Sequence, residues 1–76
     1  MKLYRLQVAR NMHLDIQVIN DYWYQVMDSY RVPATGNGDL VRKTLRGWEV
    51  FRTLESTSPV AVLTNRSELI DLTEEE

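Results

Sequence analysis

Cysteine is absent from this chain of 76 residues. The absence excludes disulfide bonds and thiolate metal sites, and it favours a reducing compartment. Histidine occurs once, as His13, which is too few for a histidine-based transition-metal site. No run approaches the roughly 18 to 20 apolar residues of a membrane span, and the first ten residues do not form the apolar core of a signal peptide. We therefore expect a cytoplasmic protein that needs no cofactor or metal and does not enter a membrane.

The sequence also lacks the motifs of common catalytic sites. It has no G-x-S-x-G elbow, and turn or cap roles account for the serines of segment 55–58 and for Ser67. Gly36 and Gly38 form a G-x-G, but no predicted strand precedes them and no third glycine follows, so phosphate binding is disfavoured. A domain of this size also has little room for a cleft that would perturb a carboxylate. We predict a protein that is not an enzyme and has no small-molecule substrate.

The composition indicates one folded domain. Hydrophobic residues make up 43% of the chain and charged residues 26%, which lies outside the regime of disordered proteins. A chain this short buries only about 60% of the surface that its unfolded form exposes. We therefore expect a single α+β domain over residues 1–76 with modest stability, and a homodimer remains open as a second state.

Alternating apolar and polar residues predict two β-hairpins. Residues 2–9 and 12–19 both alternate, and the two residues between them suit a tight turn. Residues 48–54 and 60–64 form the second pair, joined by 55–58, and its first strand is expected to be buried on both faces. The four strands are predicted to make one antiparallel sheet.

The aromatic segment 20–30 is predicted to form a helix that packs on this sheet. Four of its residues have the spacing of one helix face: Trp23, Val26, Met27 and Tyr30. Asn20 suits the N-cap position, and Pro33 ends the helix at or before the preceding residue. A longer helix over 15–30 is the alternative, because the apolar stripe continues towards the N-terminus.

Two further helices are predicted after this segment. The loop 33–38 comes first, and Asp39 then caps a short helix over 40–46 that ends at Gly47. A C-terminal helix begins at Asn65, which has the spacing of a capping box.

The aromatic and charged content favours protein binding. Tyrosine, tryptophan and arginine are the residue types enriched at the energetic centres of protein interfaces. Tyr22 and Tyr24 flank Trp23, and in a helix they cannot both follow it into the core. We predict a small non-enzymatic module that binds a protein partner through Tyr22, Tyr24 and Asp28, and that modulates or inhibits this partner. Many phage-encoded inhibitors and bacterial accessory proteins are of this general type.

Nucleic-acid binding is the alternative function. Residues 31–53 contain five basic and two acidic residues, whereas residues 54–76 contain one basic and six acidic residues. A helix over 40–46 would place three cations on one side, with a fourth nearby, and these cations are Arg42, Lys43, Arg46 and Arg52. The net charge of −2 opposes binding to a phosphate backbone, so this function ranks below protein binding.

Overall fold

The computed structural model describes residues 2–63 and 67–72, and over these ranges the chain forms seven β-strands and no helix. The strands are β1 (Leu3–Ala9), β2 (Met12–Val18), β3 (Tyr24–Tyr30), β4 (Leu40–Thr44), β5 (Gly47–Phe51), β6 (Ala61–Leu63) and β7 (Glu68–Asp71). They make one antiparallel sheet in the order β6-β5-β4-β3-β2-β1-β7. The predicted α+β class is therefore wrong, and the described part of the chain is all-β. It also contains no helix that is long and apolar enough to cross a membrane.

The core lies on the inner, concave face of this curled sheet. The largest fully buried side chains are Leu6, Leu14, Ile16, Val26, Val41 and Val50. Aromatic rings two strands apart also meet on this face: the Tyr24 ring centroid is 5.9 Å from that of Tyr4 and 5.6 Å from that of Trp48. Such contacts require the sheet to curl. Side chains on the inner face of the curled sheet therefore pack against one another. No helix is needed to cover it.

The two predicted hairpins are confirmed, with shorter strands. β1 pairs with β2 around the turn at Arg10 and Asn11, and β5 pairs with β6. All five residues of β5 are buried, as expected for a strand that is covered on both faces. Residue 64, at the end of the second predicted hairpin, lies outside the described residues.

The aromatic segment forms a turn followed by β3, so the helix over 20–30 is wrong, and so is the longer alternative over 15–30. Asn20 does cap backbone groups, but those of a turn. Its Oδ1 accepts hydrogen bonds from the N–H groups of Tyr22 and Trp23 at 2.8 and 3.0 Å. The Ile19 N–H then donates to the Trp23 carbonyl at 3.0 Å and closes the hairpin between β2 and β3. An asparagine side chain accepts hydrogen bonds from nearby backbone N–H groups at a helix N-terminus and in a turn alike, so its presence does not distinguish the two.

β3 contains a β-bulge, and the four residues that suggested a helix face do not lie on one side of it. Val26 is opposite Ile16 and Asp28 is opposite Asp15, so Met27 is an extra residue without a partner. The bulge shifts the strand's alternation by one residue. Val26 is therefore buried on the inner face, whereas Tyr30 stacks on His13 on the outer face with ring centroids 5.2 Å apart, so the helix-like spacing does not mark one face of the strand.

The short basic helix predicted over 40–46 is wrong as well. Its residues form β4 and the turn that leads to β5, with Thr44 opposite Gly47. Asp39, the predicted cap, instead ties down the preceding loop. Its Oδ2 accepts hydrogen bonds from the Gly36 N–H at 2.9 Å and from Arg52 Nη1 at 2.6 Å. Its carbonyl accepts a hydrogen bond from the Val26 N–H at 2.8 Å, which aligns the start of β4 with β3.

The C-terminal helix is wrong over its described part. Residues Glu68–Asp71 form β7, which pairs with β1 from Gln7 to Tyr4. β1 would otherwise be an edge strand with unpaired backbone groups, and β7 satisfies them. The predicted cap, Asn65, lies outside the described residues.

Candidate functional site

Two hairpin turns lie side by side at one end of the sheet, because β3 starts where the antiparallel β4 ends. We call this region the hairpin end; it comprises the turn 19–23, the turn 44–47 and the groove between them. The Asn20 hydrogen bonds hold the first turn and place Tyr22 at its tip. The Tyr22 side chain is 75% exposed. Its position is fixed by the backbone, while its ring remains available for contact.

The second turn presents an apolar side chain in the same way. Thr44 Oγ1 accepts a hydrogen bond from the Arg46 N–H at 3.1 Å and donates to the Gly47 carbonyl at 3.3 Å. Gly47 has a φ of 128°, which a residue with a Cβ rarely adopts. Leu45, between these anchors, is 99% exposed. Because this leucine buries no surface, its side chain does not stabilise the fold.

The groove between the turns has a volume of about 310 Å³. It is lined by Asp21, Tyr22, Tyr24, Arg42, Lys43 and Thr44. The ladder between β3 and β4 has only two pairs, and its last one joins Tyr24 to Val41. Beyond Val41, β4 pairs with β5 on one side and borders the groove on the other.

On the outer face, Arg42 connects the groove to two aromatic rings that lie beside it. The Arg42 guanidinium carbon lies 5.0 Å from the centroid of Trp23 and 5.3 Å from that of Phe51. The two rings meet edge to face with centroids 5.4 Å apart. Each cation–π contact at such an exposed site contributes about 0.5–1 kcal/mol. The two contacts hold the guanidinium beside both rings.

The inner wall carries the second cation. Lys43 Nζ lies 5.5 Å from the centroid of Trp48, whose ring also contacts Tyr24. Burial raises the pKa of the Tyr24 phenol above its usual value, and the nearby Tyr4 raises it further. Tyr24 therefore stays neutral at physiological pH.

The three residues predicted to bind protein are in three different environments. Tyr22 is exposed at the groove, as expected. Tyr24 lines the groove too, but it is half-buried and packs against the core. Asp28 lies farther along β3, on the outer face opposite Asp15, and does not line the groove.

The four predicted nucleic-acid contacts do not form a single patch. Arg42 and Lys43 are adjacent on a strand, so they point to opposite faces of the sheet. Arg46 Nε lies 4.0 Å from the Glu49 carboxylate, and Arg52 is paired with Asp39 at 2.6 Å. The shared face expected of these cations depended on a helix that does not form.

Sequence reasoning missed the contributions of Leu45, Trp23 and Phe51. A signal was present, because residues 44–47 contain a glycine and separate two segments rich in β-branched and aromatic residues, which is typical of a hairpin. The stacking of Arg42 on Trp23 and Phe51 has no such local signal. The first ring precedes β3 and the second ends β5, and only the strand order brings them together.

Among residues 2–63 and 67–72, no group of three or more potential ligands is arranged to hold a metal ion. Comparison of the chain with protein-family models, with curated protein sequences and with solved structures gave no match.

Proposed function

We propose that this protein is a small non-enzymatic module that binds a larger protein through the hairpin end and modulates or inhibits that protein. The observation that carries the proposal is the pair of apolar side chains at the turn tips. Tyr22 and Leu45 are 75% and 99% exposed, and hydrogen bonds within each turn hold the backbone beneath them. Such rigid, exposed anchors lose little conformational entropy on binding.

The surroundings of these anchors also suit a protein interface. Ile19 adds a third exposed apolar side chain, and Arg42 and Lys43 lie between the tips. A second depression of about 430 Å³ extends the surface along the outer face to Thr57 and Pro59. Apolar centres with arginine and a polar rim are typical of protein interfaces.

Nucleic-acid binding has weaker support. Two of its four predicted cations are already paired with carboxylates, and the other two point to opposite faces. A phosphate backbone is bound by several cations on one surface.

The absence of cysteine agrees with a reducing compartment, and we propose the cytoplasm as the location.

Affinity capture from a lysate of the cells in which the protein occurs, with two matched double variants, tests the proposal. The Tyr22→Ser/Leu45→Ser variant removes both anchors. The Tyr30→Ser/Leu54→Ser variant removes one tyrosine and one leucine that are 45% and 57% exposed away from the hairpin end. We expect the wild type and the second variant to capture a specific partner. The first variant should capture at least tenfold less of this partner.

Thermal unfolding of both variants provides the control for folding. The first variant should melt within a few degrees of the wild type, because surface substitutions usually change stability by less than about 0.5 kcal/mol. Capture of no protein above a tag-only control would refute the proposal. Equal loss of the partner by both variants would also refute the assignment to the hairpin end.

A further inference from the structure

We propose that the groove of the hairpin end binds an extended peptide with two consecutive acidic residues, which adds as a strand to the open edge of β4. This inference rests on the proposed function and specifies the chemistry of the partner. Three features support it: an unpaired strand edge, two cations on opposite faces of that edge, and the turns that keep the space open.

The edge of β4 that faces the groove runs from Arg42 to Thr44. Backbone groups of alternate residues point to opposite sides of a strand, so Arg42 and Thr44 direct theirs to β5, and Lys43 directs its N–H and C=O into the groove. On the side of β5 these residues pair with Glu49, Trp48 and Gly47. On the side of β3, pairing in the described chain ends at Val41. An extended peptide beside β4 would continue the ladder that β3 leaves, as in other cases of recognition by strand addition.

The turn between β2 and β3 keeps this edge open. The Asn20 side chain and the Ile19 N–H bond to the backbone of the turn itself, so residues 20–22 do not pair with β4. Asp21 and Tyr22 form the far wall of the groove instead. Since the turn satisfies its own polar groups, it has no local drive to close over β4.

The cations specify the charge of the peptide. Side chains of an added strand alternate between the two faces of the sheet, as Arg42 and Lys43 do. Two consecutive peptide residues would thus meet Arg42 on the outer face and Lys43 on the inner face. Within residues 2–63 and 67–72, neither cation forms an ion pair with a carboxylate. Contacts with the rings of Trp23 and Phe51 hold the Arg42 guanidinium at this site, where its N–H groups can donate to a carboxylate.

The anion at the far wall sets the position of the acidic pair. Asp21 would repel a carboxylate placed beside the turn, so the acidic residues belong next to β4. Tyr22, exposed on the same wall, offers its ring to an apolar residue that flanks them.

Titration of the isotope-labelled full chain with short peptides tests the inference. The probe is a blocked hexapeptide with two central glutamates between valine and threonine residues. Matched probes carry glutamine in place of glutamate, or N-methyl groups on alternate amides, and a single-stranded thymidine hexanucleotide represents nucleic acid. We expect the glutamate peptide to shift the amide resonances of residues 42–44 and of Tyr22 at low salt. The glutamine and N-methylated peptides should bind at least about tenfold more weakly.

Three variants assign the contacts. Arg42→Gln and Lys43→Gln should each weaken binding of the glutamate peptide about three- to fivefold, the usual range for one exposed ion pair. Arg10→Gln removes an exposed cation from the turn at the opposite end of the sheet and should leave binding unchanged. Equal effects of all three variants would mean that charge acts without a site, and would overturn the inference.

The remaining outcomes also decide. Equal affinity for the glutamine peptide would overturn the charge preference, and full affinity of the N-methylated peptide would overturn strand addition. Tighter binding of the hexanucleotide would replace a peptide partner by nucleic acid. If a cellular partner is captured through the hairpin end but the peptide does not bind, protein binding stands and strand addition falls. If the peptide binds while no partner is captured, the proposed function falls instead.

Discussion

Replacing Asp39 tests the hydrogen bonds that hold β4, and therefore the groove, in place. Asp39 is 6% exposed, and its Oδ2 accepts hydrogen bonds from the Gly36 N–H at 2.9 Å and from Arg52 Nη1 at 2.6 Å. Asp39→Ala removes both interactions. It detaches the loop before β4 from the segment after β5.

The two interactions differ in magnitude. A hydrogen bond to a charged group contributes about 1.5–3 kcal/mol. Gly36 is half-buried, so water replaces part of its lost partner and the lower value applies. The Arg52 side chain is 54% exposed, and exposed ion pairs contribute only about 0–1 kcal/mol. We expect Asp39→Ala to lower the free energy of unfolding by about 2 kcal/mol, which lowers the melting temperature by about 8–16 °C in a domain of this size.

Urea unfolding followed by tryptophan fluorescence measures these changes. Arg52→Ala, which leaves the Gly36 hydrogen bond intact, should cost less than about 1 kcal/mol. Asp39→Asn keeps an oxygen acceptor for Gly36 and should lie between the two. The reasoning fails if Arg52→Ala is as destabilising as Asp39→Ala, or if Asp39→Ala costs less than about 0.5 kcal/mol.

Three other predictions follow from the sheet. Asp28 and Asp15 are directly opposite across β2 and β3, so Asp28→Asn removes a repulsion between like charges, together with a weaker attraction of Asp28 to Arg5. The free energy of unfolding should therefore rise by at most about 1 kcal/mol, and an equal gain at 1 M salt would argue against charge repulsion. The raised pKa of Tyr24 means that its stabilising effect is complete below pH about 10 and is lost as the pH rises further, since the unfolded phenol ionises first. Urea titrations at pH 9 and 11 should therefore show a smaller loss for Tyr24→Phe than for the wild type, and equal losses would contradict this. In hydrogen exchange followed by NMR, the amides of β5 should be the slowest, because this strand is buried on both faces; equally slow exchange in β6 or β7 would contradict the assigned strand order.

The hairpins were predictable because their evidence is local. β1 and β2 alternate over their whole lengths, and β5 is a continuous run of buried residues between turn signals. The helices predicted over 20–30 and 40–46 failed for a local reason too. The spacing of Trp23, Val26, Met27 and Tyr30 fits a helix face, although these residues belong to a turn and to both sides of a strand. The five residues of β4 are too few to separate the two periods.

The candidate site was predictable in its residue types but not in its arrangement. Tyr22, Arg42 and Lys43 were identified as binding residues, and the structure brings them to one groove. The sequence analysis assigns Tyr22 to one function and Arg42 and Lys43 to another, because the distance in space between segments far apart in sequence cannot be deduced from the sequence. Asp28 is close to Tyr22 in sequence, but the strand places it away from the groove.

The sequence alone excluded disulfide bonds, predicted the two hairpins and supplied many aromatic and charged residues for so short a chain. Those properties depend on composition and on side-chain alternation, which act over a few residues. The tertiary structure decided that the segments predicted to be helices contribute β3, β4 and β7, since each of these pairs its backbone with a neighbouring strand of the sheet. It also decided that, within the described residues, β4 has no partner beyond Val41 on the side of β3, because the Asn20 turn satisfies its own hydrogen bonds. The groove arises from that unpaired edge, and no local pattern in the sequence encodes it.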